Sequence, residues 1–317
     1  MFCRWTLAIA TALFCLCILP AGAATPSYQW KTEKESVCLL AGGKVVYCCH
    51  FAQDEGCPYF HPLSLPGGPV LSAFAPADHP WHHGLWFSWK YLNGVNYWEF
   101  PKNRPNQPDG KTTVMDVAAT EVTDSMATVR LKLEYSKGRV VLTEARELSL
   151  SVPRADGSYT IDWKSTFATQ DQDVLFERTP PEKTAGGGYG GLSFRAAKTM
   201  REFRAIDSEG RVGRQQAHGK QARWMDFSGV FGEQDQPPVP AGVAIFDHPA
   251  NPRHPTPWYL SDNAVLPYFG PALLFAQPMT LKAGESLTLK YRILVHPGLG
   301  DRAALENQYQ VFAKSPR

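Results

Sequence analysis

Apolar and polar positions alternate with a period of two along most of this chain. Val129, Leu131, Leu133 and Tyr135 are separated by polar residues, Tyr159, Ile161, Trp163, Ser165 and Phe167 keep the same spacing, and Leu287, Leu289, Tyr291, Ile293 and Val295 follow a turn at Ala283-Gly284-Glu285. Successive side chains of a strand point to opposite faces, so each run predicts a strand with one apolar face. The last run stops at His296-Pro297-Gly298. Helical spacing is confined to Asp301 to Lys314, where Asp301 stands as an N-cap and Leu305, Tyr309 and Phe312 fall on one side. Trp86 to Tyr91 reads as a strand followed by an Asn93-Gly94 turn, and the glycine run Gly186 to Gly191 reads as a loop feeding a strand through Leu192 to Arg195. Strands parted by polar turns, without alternating helices, argue against a doubly wound sheet. They predict an all-β fold, a large antiparallel β-sandwich with a short C-terminal helix.

The N-terminus carries Arg4, an apolar stretch from Trp5 to Leu19, Pro20 and then Ala21-Gly22-Ala23. This is the pattern of a secretory signal peptide over residues 1–23, too short for the roughly 20 apolar residues of a membrane span. The expectation is a periplasmic or secreted protein with no membrane span after signal cleavage. No linker, charge block or repeat divides residues 24–317, which predicts a single domain there. The mature chain keeps Cys38, Cys48, Cys49 and Cys57. Adjacent Cys48 and Cys49 point to opposite faces of a strand, so one of them at most joins Cys38 or Cys57 on a given face; one disulfide is preferred over a zinc site, since paired CxxC knuckles are lacking. A formal charge of +2 and no basic cluster speak against a nucleic-acid partner.

Candidate chemistry concentrates in three segments. Asp78-His79-Pro80-Trp81-His82-His83-Gly84-Leu85-Trp86 places three of the nine histidines beside a carboxylate and two indoles. Such imidazoles ligate metals, move protons or bind substrate oxygens, although a turn opening a buried strand has the same appearance. The glycine run presents Tyr189 and Arg195, the latter suited to clamping a carboxylate or hydroxyl pair. The third segment, Asp247 to Trp258, uses four prolines to restrain a loop carrying His248, Asn251, His254 and Trp258. A Gly-x-Ser-x-Gly elbow, an HExxH helix and a P-loop are absent, which weakens serine-hydrolase, zincin and nucleotide-binding readings. The site so drawn has His82 or His83 as base and His248 as complementary acid. Tyr189, Arg195, Asn251, His254 and Trp258 bind substrate, and Asp78 and His79 either orient an imidazole or, with His82 or His83, hold a divalent metal.

These three segments together resemble the bacterial PmoA-like family, labelled methane oxygenase. Members of that family look like distant relatives of the β-supersandwich of aldose epimerases (galactose-mutarotase-like) and some polysaccharide lyases. The resemblance implies a sugar ligand, a small molecule or oligosaccharide, on the concave sheet. It also implies an exported carbohydrate-active enzyme of the lyase, glycoside-cleaving or epimerase type, for which a 3-keto sugar is an attractive substrate: the ketone acidifies the C2 proton, and its removal expels the C1 substituent. A copper- or iron-dependent oxidative enzyme, as the family label suggests, and a non-catalytic glycan-binding protein are the alternatives.

Overall fold

The computed structural model describes residues 27–53, 55–99, 110–184, 186–232 and 237–315; the expected signal peptide, residues 1–23, lies outside them. In chain order come β1 (Tyr28–Glu33), β2 (Ser36–Ala41), β3 (Lys44–His50), β4 (Tyr59–Leu63), β5 (Leu85–Ser88), β6 (Tyr91–Leu92) and β7 (Val95–Asn96). The long strands β8 (Lys111–Val122), β9 (Met126–Lys137), β10 (Arg139–Ser151) and β11 (Tyr159–Thr169) follow, then β12 (Val174–Glu177), β13 (Gly191–Arg195) and β14 (Arg201–Asp207). A short helix α1 (Gly213–Ala217) precedes β15 (Trp224–Phe231), β16 (Val239–Asp247), β17 (Trp258–Asp262), β18 (Pro267–Pro271), β19 (Met279–Leu281), β20 (Ser286–Pro297) and α2 (Arg302–Ala313).

The strands form two eight-stranded antiparallel sheets and a small four-stranded one. The first sheet runs β1-β2-β3-β4-β5-β13-β18-β17 and the second β14-β15-β16-β20-β11-β10-β9-β8. The fold is therefore all-β, as the alternation predicts. The three periodic runs lie on β9, β11 and β20, and their apolar members are buried in the main core. Asp301 caps α2 by accepting a hydrogen bond from Ala304 N–H at 2.8 Å, and Leu305, Tyr309 and Phe312 dock on Trp224 and Phe246 at the second sheet's outer face. Asn93 (φ 49°) and Gly94 (φ 74°) make the expected turn between β6 and β7. The expected Trp86–Tyr91 strand breaks between Ser88 and Tyr91, where the Ser88 hydroxyl binds the Tyr97 carbonyl. The helix α1, only five residues long, has no periodic signature to betray it. Cys38 and Cys48 face each other on β2 and β3 and are joined as the single disulfide among the described residues, leaving Cys49 and Cys57 as buried thiols.

One ion pair lies wholly inside the sandwich. Arg146 on β10 meets Glu144 at 2.6 Å with both side chains fully buried. Tyr135 and Ser165 hydroxyls donate to the same carboxylate at 2.6 and 2.5 Å, and the guanidinium lies 4.6 Å from the Trp163 ring centroid. Both charges survive burial because each is met by the other and by hydrogen-bond donors or an aromatic face. Arg146→Met would strand the carboxylate in the core; chemical denaturation should register a loss of about 3–5 kcal/mol.

Candidate functional site

The first sheet is lined with aromatics on both faces. Leu85, Phe87, Leu192, Phe194 and Phe269 point into the main core. Residues alternating with them take the other face, because directly opposed residues of antiparallel strands share a face: Trp86 pairs with Tyr59 and Ser193, and Arg195 pairs with Tyr268. This outer face builds a second cluster from Tyr59, Trp86, Trp98, Tyr259 and Tyr268, with Trp81 and Tyr189 packed against it.

Above this face lies a cleft of about 210 Å³. Tyr259 and Tyr268 form its floor, Trp98 and Tyr189 one wall, and His79, Trp81 and His82 the other. Two interactions fasten the histidine wall. Ala73 N–H donates to the Arg195 carbonyl at 2.9 Å, and Arg195 N–H donates to the Gly84 carbonyl at 2.8 Å, so both feet of the loop are tied to β13. The Arg195 side chain then reaches Asp78 at 2.7 Å and the Val265 carbonyl at 2.9 Å. The opposite wall is held by the buried Lys90 ammonium, which binds both Glu99 oxygens at 2.6 and 2.7 Å and lies 5.3 Å from the Tyr189 ring centroid. Asn96 donates to the same carboxylate. At Gly188 (φ +97°) a Cβ would sit 2.4 Å from the Phe275 ring, so only glycine lets the Tyr189 loop close down here.

The two imidazoles in the cleft differ. His79 Nδ1 lies 2.9 Å from Asp78 Oδ2, and since an ionised carboxylate only accepts, Nδ1 carries a proton and Nε2 is left as the basic nitrogen. Burial would raise the Asp78 carboxyl, but the hydrogen bonds from His79 and Arg195 and the guanidinium charge hold it at about 2. His82 stacks 4.6 Å from His79 and 5.3 Å from Tyr268. Its Nδ1 is buried with no hydrogen-bond partner, as are Nε and Nη1 of Arg195. Burial first, and then the neighbouring His79 and Arg195, pushes the His82 imidazole well below the usual histidine range.

The structure thus brings together Asp78, His79, His82, Tyr189 and Arg195 of the expected site residues. His83 packs behind the cleft against Phe74 and Tyr59, with centroids 4.7 and 5.0 Å away. His248, Asn251 and His254 gather instead where the loop after β16 meets α2. Asp247 accepts from Asn251 at 2.7 Å and pairs with His254 at 2.8 Å, His254 lies 3.4 Å from the Tyr309 hydroxyl, and the His248 ring packs on Phe312. Trp258 is buried in the core, donating its indole N–H to the Ala222 carbonyl. Among the described residues, no group of three or more His, Cys, Asp or Glu side chains is arranged to hold a metal ion. Trp98, Tyr259, Tyr268 and the Lys90–Glu99 pair are members of the site that sequence reading misses. Only the aromatic richness hints at them.

A family model spans residues 36–310 of the chain, described as a family of unknown function (DUF6807). The chain belongs to this family. No curated protein matches it. Solved structures with a similar course include a candidate aldose 1-epimerase from Klebsiella pneumoniae subsp. pneumoniae, 12% identical, with a TM-score of 0.39 over 89% of this chain and 82% of that one. A second candidate aldose 1-epimerase, from Escherichia coli K12, is 10% identical, with a TM-score of 0.33 over 87% of this chain and 100% of that one. A polysaccharide lyase is 10% identical, with a TM-score of 0.31 over 88% of this chain and 33% of that one. No helix among the described residues is long and apolar enough to cross a membrane.

The burial of His82 has a direct consequence in solution. Its imidazole should remain neutral well below the ordinary histidine value of 6.5. An NMR titration of the ring protons, assigned with a His82→Gln variant, should therefore show no His82 transition near neutrality; a midpoint at or above 6.5 would contradict the geometry.

Proposed function

We propose that this family member is an exported enzyme that moves a proton on a sugar-like substrate, and that His79 is its base. The observation carrying this reading is the Arg195–Asp78–His79 chain ending in an aromatic cleft beside a neutral, buried imidazole. Tyr and Trp faces suit the apolar faces of a sugar ring, and a histidine oriented by a carboxylate is the usual arrangement for proton abstraction at neutral pH. The Asp78 carboxylate fixes the tautomer of His79 and stabilises the imidazolium that forms when Nε2 accepts a proton, by the same logic as the carboxylate of a catalytic triad.

A glycoside oxidised at C3 fits these groups. His79 takes the proton from C2, the C–H electron pair becomes the enediolate, and the neutral His82 ring offers a hydrogen bond to the developing oxyanion. Collapse of the enediolate forms a C1–C2 double bond and breaks the bond from C1 to the leaving oxygen, which receives the proton from the His79 imidazolium. Return of that proton by His79 to the same face of C2 restores the substrate, whereas protonation of the enediolate by water on the opposite face, without cleavage, would give epimerisation. Arg195, two of whose nitrogens have no hydrogen-bond partner and whose charge acts on His82 and Tyr268, adds positive potential to the cleft.

The test is turnover on a panel of methyl glycosides and their 3-keto derivatives in deuterated water, with and without chelator. Deuterium should enter C2, or product should form, and His79→Ala should lower kcat by about 10²–10⁴-fold, in the range for loss of a general base. Asp78→Asn should lower kcat, since it removes the carboxylate that orients His79. Full activity in His79→Ala would overturn the assignment, chelator-sensitive turnover would bring a metal into the mechanism, and sugar binding without turnover would mark a glycan-binding protein.

A further inference from the structure

The cleft is small for the ligand class proposed for it. At about 210 Å³ it falls below the ~300–1,000 Å³ of sites that enclose drug-sized molecules, so it has little room beyond one sugar ring. Tyr259, which lines it, has a second neighbourhood on its far side. The His218 ring packs edge-on against it at 4.9 Å, and the Arg214 guanidinium lies 5.7 Å from its centroid. These two residues line an open hollow of about 640 Å³ together with Val212, Gly213, Gln215 and Asp262.

The hollow is firmly built. β17 ends the first sheet, and its free edge is met by side chains of and just after α1: Leu260 N–H donates to His218 Nδ1 at 3.2 Å, and Arg214 donates to the Leu260 carbonyl. Asp262 accepts from Arg214 N–H at 2.7 Å, which anchors α1 to the end of β17. Phe275 also bridges the two neighbourhoods, packing on Gly188 of the Tyr189 loop and on Gly219 beside His218, with a Cβ at either glycine falling 2.4 or 2.7 Å from its ring. Burial, and then the Arg214 charge, lower His218 to about 4, so the ring lining the hollow is neutral near pH 7.

From this continuity we infer that the substrate is an oligosaccharide of at least two residues, one ring in the aromatic cleft and the next on the Arg214–His218–Gln215 hollow, with Tyr259 as the partition between them. The inference rests on the reading of the cleft as a sugar site and adds the length of the ligand. The hollow supplies guanidinium, amide and carboxylate groups suited to hydroxyls, while the cleft supplies the stacking faces.

Calorimetric titration tests this with methyl glycosides of glucose, galactose, mannose and glucuronic acid against the disaccharide and trisaccharide of each series. In the series the cleft accepts, the disaccharide should bind at least about tenfold tighter than the monosaccharide. Gln215→Met and, independently, Val212→Met place a longer side chain in the hollow at exposed positions that neither stacks as a ring nor binds a hydroxyl. Each should abolish the disaccharide gain while leaving monosaccharide affinity unchanged. Equal affinity for both lengths, or a disaccharide gain that survives both variants, would overturn the second subsite and leave the cleft assignment standing. Failure of every sugar to bind would remove the sugar reading of the cleft and this inference with it.

Discussion

A guanidinium with no exposed surface has to be answered by a carboxylate, and the arrangement of the candidate site follows from how Arg195 is answered. The residue leaves the outer face of the first sheet fully buried, and its side chain reaches Asp78 in a loop of another segment. Its main chain binds the feet of that same loop through Ala73 and Gly84. A buried ion pair adds little net stability, but separating it leaves an uncompensated charge at a cost of about 3–5 kcal/mol. The loop carrying His79 and His82 is therefore confined to one position. Asp78, held by Arg195, has one direction left in which to orient His79.

The second constraint is that the first sheet buries both faces. One face packs on the second sheet, and the other carries Trp86, Tyr59 and Tyr268 under the loops that form the cleft walls. That explains which parts of the fold sequence reading recovers. β9, β11 and β20 have one face on the core and the other polar, so their alternation is plain, and the predicted runs cover most of β11 and β20 and the centre of β9. In β5 all four residues are buried, and Leu85-Trp86-Phe87 has no polar partner to mark the period. A doubly covered strand reads as a continuous apolar run, from which the division into core and cleft residues cannot be extracted.

The candidate site divides along similar lines. Chemistry packed into consecutive residues is legible, so Asp78, His79 and His82 stand out as a group. Chemistry assembled across strands is not: Tyr259 and Tyr268 meet through the β17–β18 pairing, and Lys90 finds Glu99 across a turn. Residue type alone also fails to distinguish a cleft from a joint. Asp247, Asn251 and His254 share the vocabulary of the histidine loop, yet their polar atoms meet one another and the main chain where the chain crosses from the second sheet to the first. A restrained proline-rich loop that must bury its polar groups needs internal partners of this kind.

Edge geometry then ties the cleft to its surroundings. A strand at the end of a sheet presents unpaired N–H and C=O groups that must be covered. β17 is such a strand; the main chain of Gly219 and Lys220 pairs with Trp258, and Arg214 of α1 and His218 just after it cover Leu260. Polar side chains brought in to satisfy the Leu260 backbone consequently stand beside Tyr259, at the rim of an aromatic floor. Had a further strand closed this edge, the floor would have continued as apolar sheet. The fold's way of ending its first sheet is thus what sets a polar hollow next to an aromatic cleft, with a single tyrosine ring dividing them.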